Sequence, residues 1–362
     1  MIANRVPLLS LLACTLLSCS SGVAEESSGD PDAFAREAEL AASASEGAAG
    51  IGIEGAAAGW WFLRNELEHL AQGRFWERDF AESTVTGTNP VPVIVQYHEE
   101  LEALGVRLIL CPVPPKASIY PEKFSGEVAM NGDRPAEGAV HTLAPFLQTL
   151  TEAGVEVLDL EATFNELRAG SEDQLYCAQD SHWSPVTCRH VARLLAELCR
   201  DEPSVAAAKA AFSAEILRTQ GETLHFHGDL LTEEEKGAEA KEELPVSHVG
   251  TGSAESPEPL ATDPESPVLV VGDSHTLVFN EGASLGMHDV GAGLVDHLAA
   301  ELGFPVDREA SKGSGGDSAR ANVARRSKSE VDLWEKKKVV LWVFSAREFT
   351  RGKWRPIPAN VD

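Results

Sequence analysis

Two short motifs hold the groups that could do chemistry. In Asp180-Ser181-His182-Trp183 a carboxylate precedes an imidazole by two residues, and in Gly272-Asp273-Ser274-His275 a hydroxyl follows directly on the apolar run Val268-Leu269-Val270-Val271. A serine hydroxyl is a weak nucleophile near neutral pH. It becomes effective when an imidazole takes its proton and a carboxylate holds that imidazole in the right tautomer. Ser274, His182 and Asp180 supply these three groups, so the chemistry they predict is acyl transfer. His275 adjoins Ser274, but neighbouring side chains diverge, and the base is therefore assigned to His182. Taken singly each motif is weak, since Gly-Asp-Ser is also ordinary turn chemistry.

The apolar run between Pro267 and Gly272 reads as a strand buried on both faces, as in a parallel sheet, where ligands bind at the carboxyl ends of the strands. Ser274 then sits at the mouth of the sheet, Gly272 allows the sharp turn, and the Ser274 N–H is placed to help hold an oxyanion. Residues 106–113, 155–160 and 339–344 read as further buried strands. Residues 93–104, 140–153, 188–199 and 290–302 carry helical periodicity. Strands alternating with helices predict an α/β fold, a mostly parallel sheet covered on both sides by helices with right-handed crossovers. Residues 233–267, rich first in Glu and then in Ser and Pro, read as a long exposed excursion before the nucleophile strand.

Other residues are candidates for substrate contact. Trp183 could pack on a sugar ring beside His182, or simply be buried. Lys116, among prolines after a strand, could meet a substrate carboxylate, or be an ordinary turn lysine. Arg347 follows the strand 339–344 and could bind glycan or brace Asp180. Gly315 and Gly316, in a Gly/Ser loop opening a helix, could offer N–H groups to an anion. That loop lacks Gly-x-x-x-x-Gly-Lys, so a nucleotide P-loop is not supported.

The order of the motifs, Asp-x-His-Trp before Gly-Asp-Ser, resembles that of the SGNH-hydrolase-like family of alginate O-acetylation proteins, the AlgJ/AlgX-like or DHHW proteins; ordinary SGNH esterases have the serine first. Gly59-Trp60-Trp61-Phe62-Leu63, Pro112-Val113-Pro114-Pro115-Lys116 with Tyr120-Pro121-Glu122, and Leu341-Trp342-Val343-Phe344 leading into Arg347-Glu348-Phe349 are similar to further segments of that family. The resemblance implies a three-layer α/β/α SGNH-hydrolase-like domain and a Ser274–His182–Asp180 triad that transfers acetyl to a polysaccharide through an acetyl-serine. It also implies a membrane-bound acyltransferase partner as acetyl donor. Two other readings stay open: an acetylesterase with the same triad, and a non-catalytic glycan-binding scaffold of an acetylation complex. A metallophosphoesterase would need Gly-Asp-x-x-Asp and Gly-Asn-His motifs, which do not occur.

At the amino terminus, Arg5 and the short apolar stretch after it follow the plan of a secretory signal. Leu16-Leu17-Ser18-Cys19 resembles a bacterial lipobox with Cys19 as the lipidated residue, and Ser20 after it favours the outer membrane; cleavage after Ala24 without lipidation is the alternative. The organisation expected is a lipoprotein signal over residues 1–18, a flexible tether over 19–55 with almost no large apolar groups, and the catalytic domain over 56–362 in the periplasm or cell envelope.

A net charge of −27 excludes nucleic acid as a natural partner. The acidity is uneven: residues 308–355 carry thirteen basic against six acidic side chains, net +7, which could attract a polyanionic glycan or merely decorate helix faces. No cofactor or metal is expected, since there is no Cys-x-x-Cys pair, although His225-Phe226-His227 precedes Gly228-Asp229. A Cys177–Cys188 disulfide would clamp the loop bearing His182. Cys188 and Cys199 lie about 16 Å apart along one unbroken helix, too far to pair, and Cys111 reads as a buried thiol.

Overall fold

The computed structural model describes residues 29–253 and 255–361. Its centre is a five-stranded sheet. In chain order the strands are β1 (Arg107–Val113), β2 (Glu156–Val157), β3 (Val268–Gly272), β4 (Asp307–Ala310) and β5 (Val339–Ser345), arranged in space β4-β3-β5-β1-β2. All four pairings are parallel, with Val268 opposite Val339 and Arg107 opposite Val339 on its other side. The near-continuous apolar runs of β1, β3 and β5 arise because both faces are covered. Ile109, Val268, Val270, Leu341 and Val343 face one core. Their alternates Leu108, Leu110, Leu269, Val271, Val340 and Trp342 face another.

Helices Pro185–Cys199 and Leu294–Leu302 contribute Val191, Leu195, Leu298 and Leu302 to the first core. Helices Pro90–Ala103, Ala144–Glu152 and Ser318–Ser329 contribute Ile94, Leu101, Phe146, Leu150 and Val323 to the second. The architecture is thus α/β in three layers, as the alternation of elements predicts. The edge strand β4, Asp-Arg-Glu-Ala, carries no apolar pattern. Its register is held instead by Asp307, whose buried carboxylate pairs with Arg326 at 2.9 Å and Lys337 at 2.7 Å.

Three expectations are corrected. Within the stretch read as a flexible tether, Pro31–Ala44 forms a helix capped by the Asp30 side chain, which accepts from the N–H groups of Asp32 and Ala33. Phe34, Ala35, Ala38 and Ala42 lie on one face and are buried, with Phe34 edge-on to Phe124 at 5.6 Å between centroids. Alanines make such a face weakly apolar in sequence yet allow close helix approach. The excursion before β3 is not exposed throughout: Glu242, Leu244, Val246 and Val249 are buried. It contains helix Glu233–Ala238, closed by a capping box from Thr232, and strand Glu242–Val246, antiparallel to Glu222–Phe226. The third correction concerns sulfur: Cys177 and Cys188 form no disulfide, and they and Cys199 are buried free thiols; Cys111, as expected, is one too. The thiol of Cys177 points to the Trp183 carbonyl, 3.4 Å away, rather than to Cys188. The signal, the lipobox and Cys19 lie outside the described residues.

Candidate active site

The turn after β3 is built by close backbone approach. A Cβ on Gly272 would stand 2.4 Å from the Val343 carbonyl oxygen of β5, so only glycine lets the two strand ends converge here. Asp273 then caps the short 3-10 turn Ser274–Thr276 by accepting from the His275 N–H at 2.9 Å, while its other oxygen accepts from the Ser345 N–H at 2.7 Å. Burial alone would raise this carboxyl; the His275 ring, whose Nδ1 also bonds Asp273 Oδ1 at 3.1 Å, then the Arg347 charge and the Ser345 N–H hold it well below the usual range. Asp273 is therefore committed to positioning Ser274, which is 9 % exposed.

His182 sits on a hairpin-like loop in which Tyr176 and Trp183 pair. Its backbone N–H and its Nδ1 both donate to Asp180 Oδ1, at 3.1 and 2.6 Å. Asp180 is fully buried, and its Oδ2 accepts from the Asp229 N–H at 2.8 Å and from His288 Nε2 at 2.7 Å. Burial would raise the Asp180 carboxyl, but His182 and then His288 hold it well below the carboxylate range, so it is an anion. Burial likewise disfavours a charged His182 ring; the Asp180 charge and hydrogen bond, then Asp229 and Asp273, overcome it and raise the imidazole above its ordinary 6.5. With Nδ1–H given to Asp180, the neutral ring carries its lone pair on Nε2.

The two motifs meet through their neighbours. The His275 ring, one residue beyond Ser274, lies edge-on to the His182 ring at 5.1 Å between centroids and to Trp183 at the same distance. Among the described residues no hydrogen bond joins Ser274 to His182, which is itself buried; the two are brought to the same region through the His275 ring.

The weaker candidates fall elsewhere. Trp183 is completely buried against His275 and presents no face to a sugar. Lys116 is also fully buried. Its Nζ donates to the carbonyls of Cys177 at 2.8 Å, Ala178 at 3.2 Å and Asp180 at 2.7 Å, so it fastens the His182 loop from beneath instead of meeting substrate. Arg347 does not touch Asp180: it donates to Ser345 Oγ at 2.7 Å and pairs with Glu66 at 3.3 Å. Gly315 packs so closely on Asp273 that a Cβ would lie 3.0 Å from its backbone nitrogen, and a Cβ on Gly316 would lie 3.0 Å from the Glu348 carboxylate and 3.4 Å from the Trp354 ring. Gly315 thus supports the nucleophile turn by contact, while Gly316 packs against Glu348 and Trp354.

Sequence reasoning passed over Glu242 and His288, and named Asp229 only beside the His225-Phe226-His227 run, without a role. Glu242 accepts from the Ala178 and Gln179 N–H groups at 2.6 and 3.0 Å, and Asp229 accepts from Ser181 N and Oγ, both at 2.7 Å. The Asp229 side chain keeps 34 % of its surface open; partial desolvation and then the Asp180 charge push its carboxyl upward. The Gly228-Asp229 pair was the one available signal for this segment. His288 lies in a loop with no motif. Asp180, His182 and Asp229 present ligand atoms all within 4.8 Å of one another, yet a cation there would have to displace the Ser181 and histidine N–H donors that these atoms already hold.

Residues 55–346 match the family described as SGNH hydrolase-like domain, acetyltransferase AlgX. Among curated proteins, the chain is 26 % identical over 174 residues to the probable alginate O-acetylase AlgJ of Pseudomonas aeruginosa, covering 48 % of this chain and 39 % of that protein. It is 28 % identical over 109 residues to the protein of the same name from Azotobacter vinelandii, covering 30 % and 26 %. The chain thus spans less than half the length of these curated relatives. The solved O-acetyltransferase domain of Pseudomonas putida AlgJ superposes with a TM-score of 0.54 at 20 % identity, over 83 % of this chain and 92 % of that domain, a likeness of fold. On the extent of the family match, the chain belongs to the AlgX-type acetyltransferase family of SGNH hydrolase-like domains.

Proposed function

We propose that this chain is a polysaccharide O-acetyltransferase in which Ser274 is the nucleophile, His182 the general base and Asp180 the group that orients it. The observation that carries the reading is the 2.6 Å bond from His182 Nδ1 to a buried, anionic Asp180, with the His182 ring 5.1 Å from that of His275, the residue next to Ser274. Family membership and the relatives named alginate O-acetylase support acetyl as the group and a polysaccharide as the acceptor. In the first half-reaction Nε2 takes the Ser274 proton as Oγ attacks the acetyl carbonyl of the donor; the leaving group then departs with that proton, leaving acetyl-serine. In the second, Nε2 takes the proton of a glycan hydroxyl, whose oxygen attacks the acetyl-serine, and the proton returns to Oγ as serine is released. The Ser274 N–H, first in its turn and so without a carbonyl partner in it, is placed for the oxyanion of both steps.

The donor in this reading is a membrane-bound acyltransferase partner, and Cys19 lipidation anchors the protein in the cell envelope, in the outer membrane. Cys19→Ser should then release the protein from the membrane fraction or leave its signal uncleaved. The activity test is incubation of the purified protein with a chromogenic acetyl ester, with and without glycan oligomers. Acetylated oligomers are expected. Free acetate at the same rate regardless of acceptor would make it an esterase, and no turnover by a folded protein would leave the scaffold reading.

A further inference from the structure

We propose that His288 is a positioning residue of this site: it pins Oδ2 of Asp180 and so fixes the carboxylate rotation that presents Oδ1 to His182. The inference rests on the proposed roles of Ser274, His182 and Asp180. A carboxylate bonded to one imidazole can swing with it about its own axis. Asp180 cannot, because Oδ2 is held by two donors from separate segments, the Asp229 N–H at 2.8 Å and His288 Nε2 at 2.7 Å. One anionic carboxylate therefore bridges two histidines. Its charge requires that each present an N–H to it, which leaves the reactive nitrogen of His182 bare.

The backbone at His288 supplies a second, independent observation. Its φ is 63°, a left-handed conformation that side-chain-bearing residues seldom adopt. The loop enforces it. Phe279 N–H donates to the Met287 carbonyl at 2.8 Å, Gly282 N–H to the Asp289 carbonyl at 2.9 Å, and Ala292 N–H to the Phe279 carbonyl at 2.9 Å. The imidazole packs against Phe226, 4.3 Å between centroids, and Phe279, at 5.9 Å, both rings tilted to it, and keeps 12 % of its side-chain surface exposed. The charged groups near it are Asp180 ahead of it and Asp289 on its own loop, and the latter turns away to accept from His248 Nε2 at 2.9 Å. His248 is in turn bonded to Glu222, so the His288 loop is fastened from behind. An unfavourable backbone kept in place by so many contacts marks a side chain whose position matters more than its comfort.

The test compares H288A, H288Q and H288G in the full chain. With the acetyl ester, H288A should lower kcat about 10- to 100-fold with KM within about twofold, the scale seen when an outer-shell partner of a reactive group is lost. H288Q keeps an N–H donor on a side chain of similar reach and should recover most of that loss. H288G loses the same donor to buried Asp180 but removes the left-handed penalty that H288A keeps, so its Tm should exceed that of H288A while its kcat recovers nothing, a separation of stability from rate that a merely structural histidine does not give. The low-field Nδ1 proton of His182 in the NMR spectrum should be sharp in the native chain, broadened in H288A and restored in H288Q. Native kcat with an unmoved His182 signal in H288A would overturn the proposal, as would a folded H288Q no better than H288A; should H288A fail to fold, H288Q decides alone. If the native chain shows this NMR pattern but turns over no acetyl ester, the acetyltransferase reading fails while the positioning of Asp180 by His288 stands.

Discussion

Gly228 and Gln179 touch backbone to backbone: a Cβ on residue 228 would stand 1.9 Å from the Gln179 carbonyl oxygen and 2.5 Å from the Asp180 nitrogen. This contact is what allows the next residue, Asp229, to give its N–H to Asp180 and its carboxylate to Ser181. Two segments distant in sequence are thereby locked into one support for His182.

Gly228→Ala must push these segments apart, since backbone atoms cannot yield as a side-chain tip can. The expected cost is about 1–3 kcal/mol of stability, typical of overpacking, together with a marked fall in kcat as Asp180 loses its Asp229 donor. Denaturant unfolding and acetyl-ester turnover measure both. A variant with native midpoint and native rate would mean that the support is dispensable.

Ser274→Ala and His182→Ala should each reduce turnover by roughly 10⁴-fold or more while the fold persists, and the double variant should be little worse than either, because the groups work as a unit. Multiplying losses in the double variant would show that the two act in separate steps. Circular dichroism separates loss of chemistry from loss of structure.

The sheet and its polar outlet were legible because their residues have a simple physical signature. The runs Val268-Leu269-Val270-Val271 and Leu341-Trp342-Val343-Phe344 can only be strands covered on both faces, and Gly272 ends one of them where β5 comes closest. Asp180 and His182 were legible because they are two residues apart and bond within one loop. What escaped was held by long-range polar contacts without period or spacing. Strand β4 depends on Asp307 meeting Arg326 and Lys337, and Glu242 reads as one more solvated acid until Ala178 and Gln179 are seen to donate to it. His288 reaches Asp180 across 108 positions of sequence. Lys116 and Trp183 misled for the converse reason: their chemistry suits a ligand, but the protein's own carbonyls and rings satisfy it first.

The pH profile should report the His182–Asp180 pair. The base must be neutral to act, and Asp180, against the effect of burial, raises the His182 imidazole above 6.5. Activity should therefore rise with pH along a limb displaced above 6.5. Asp180→Asn, which removes the charge and mis-sets the tautomer, should move that limb downward and lower the plateau steeply. Stability follows the opposite sign for the base: the contribution of a protonated His182 is present in full below its ordinary value and is lost as pH rises through the raised one. For Asp180, held below 3.8, stability is present above that value and lost as pH falls through the lowered one. An unshifted limb in Asp180→Asn would point to Asp229, 4.0 Å from Nδ1, as the effective partner.

Lys116→Met tests the loop from below. Methionine fills a similar volume, but the carbonyls of Cys177, Ala178 and Asp180 would lose their shared charged donor in a site without solvent. Buried acceptors left unpaired cost about 1–3 kcal/mol, more when the lost donor is charged, so a destabilisation of about 3 kcal/mol is expected. Because Nζ meets only the protein, the kinetic effect should fall on kcat through a displaced His182, with KM for a neutral acetyl ester and for an anionic glycan changed alike. A selective rise in KM for the anionic glycan, with stability and kcat preserved, would instead place Lys116 in contact with the acceptor and require that its loop open during the reaction.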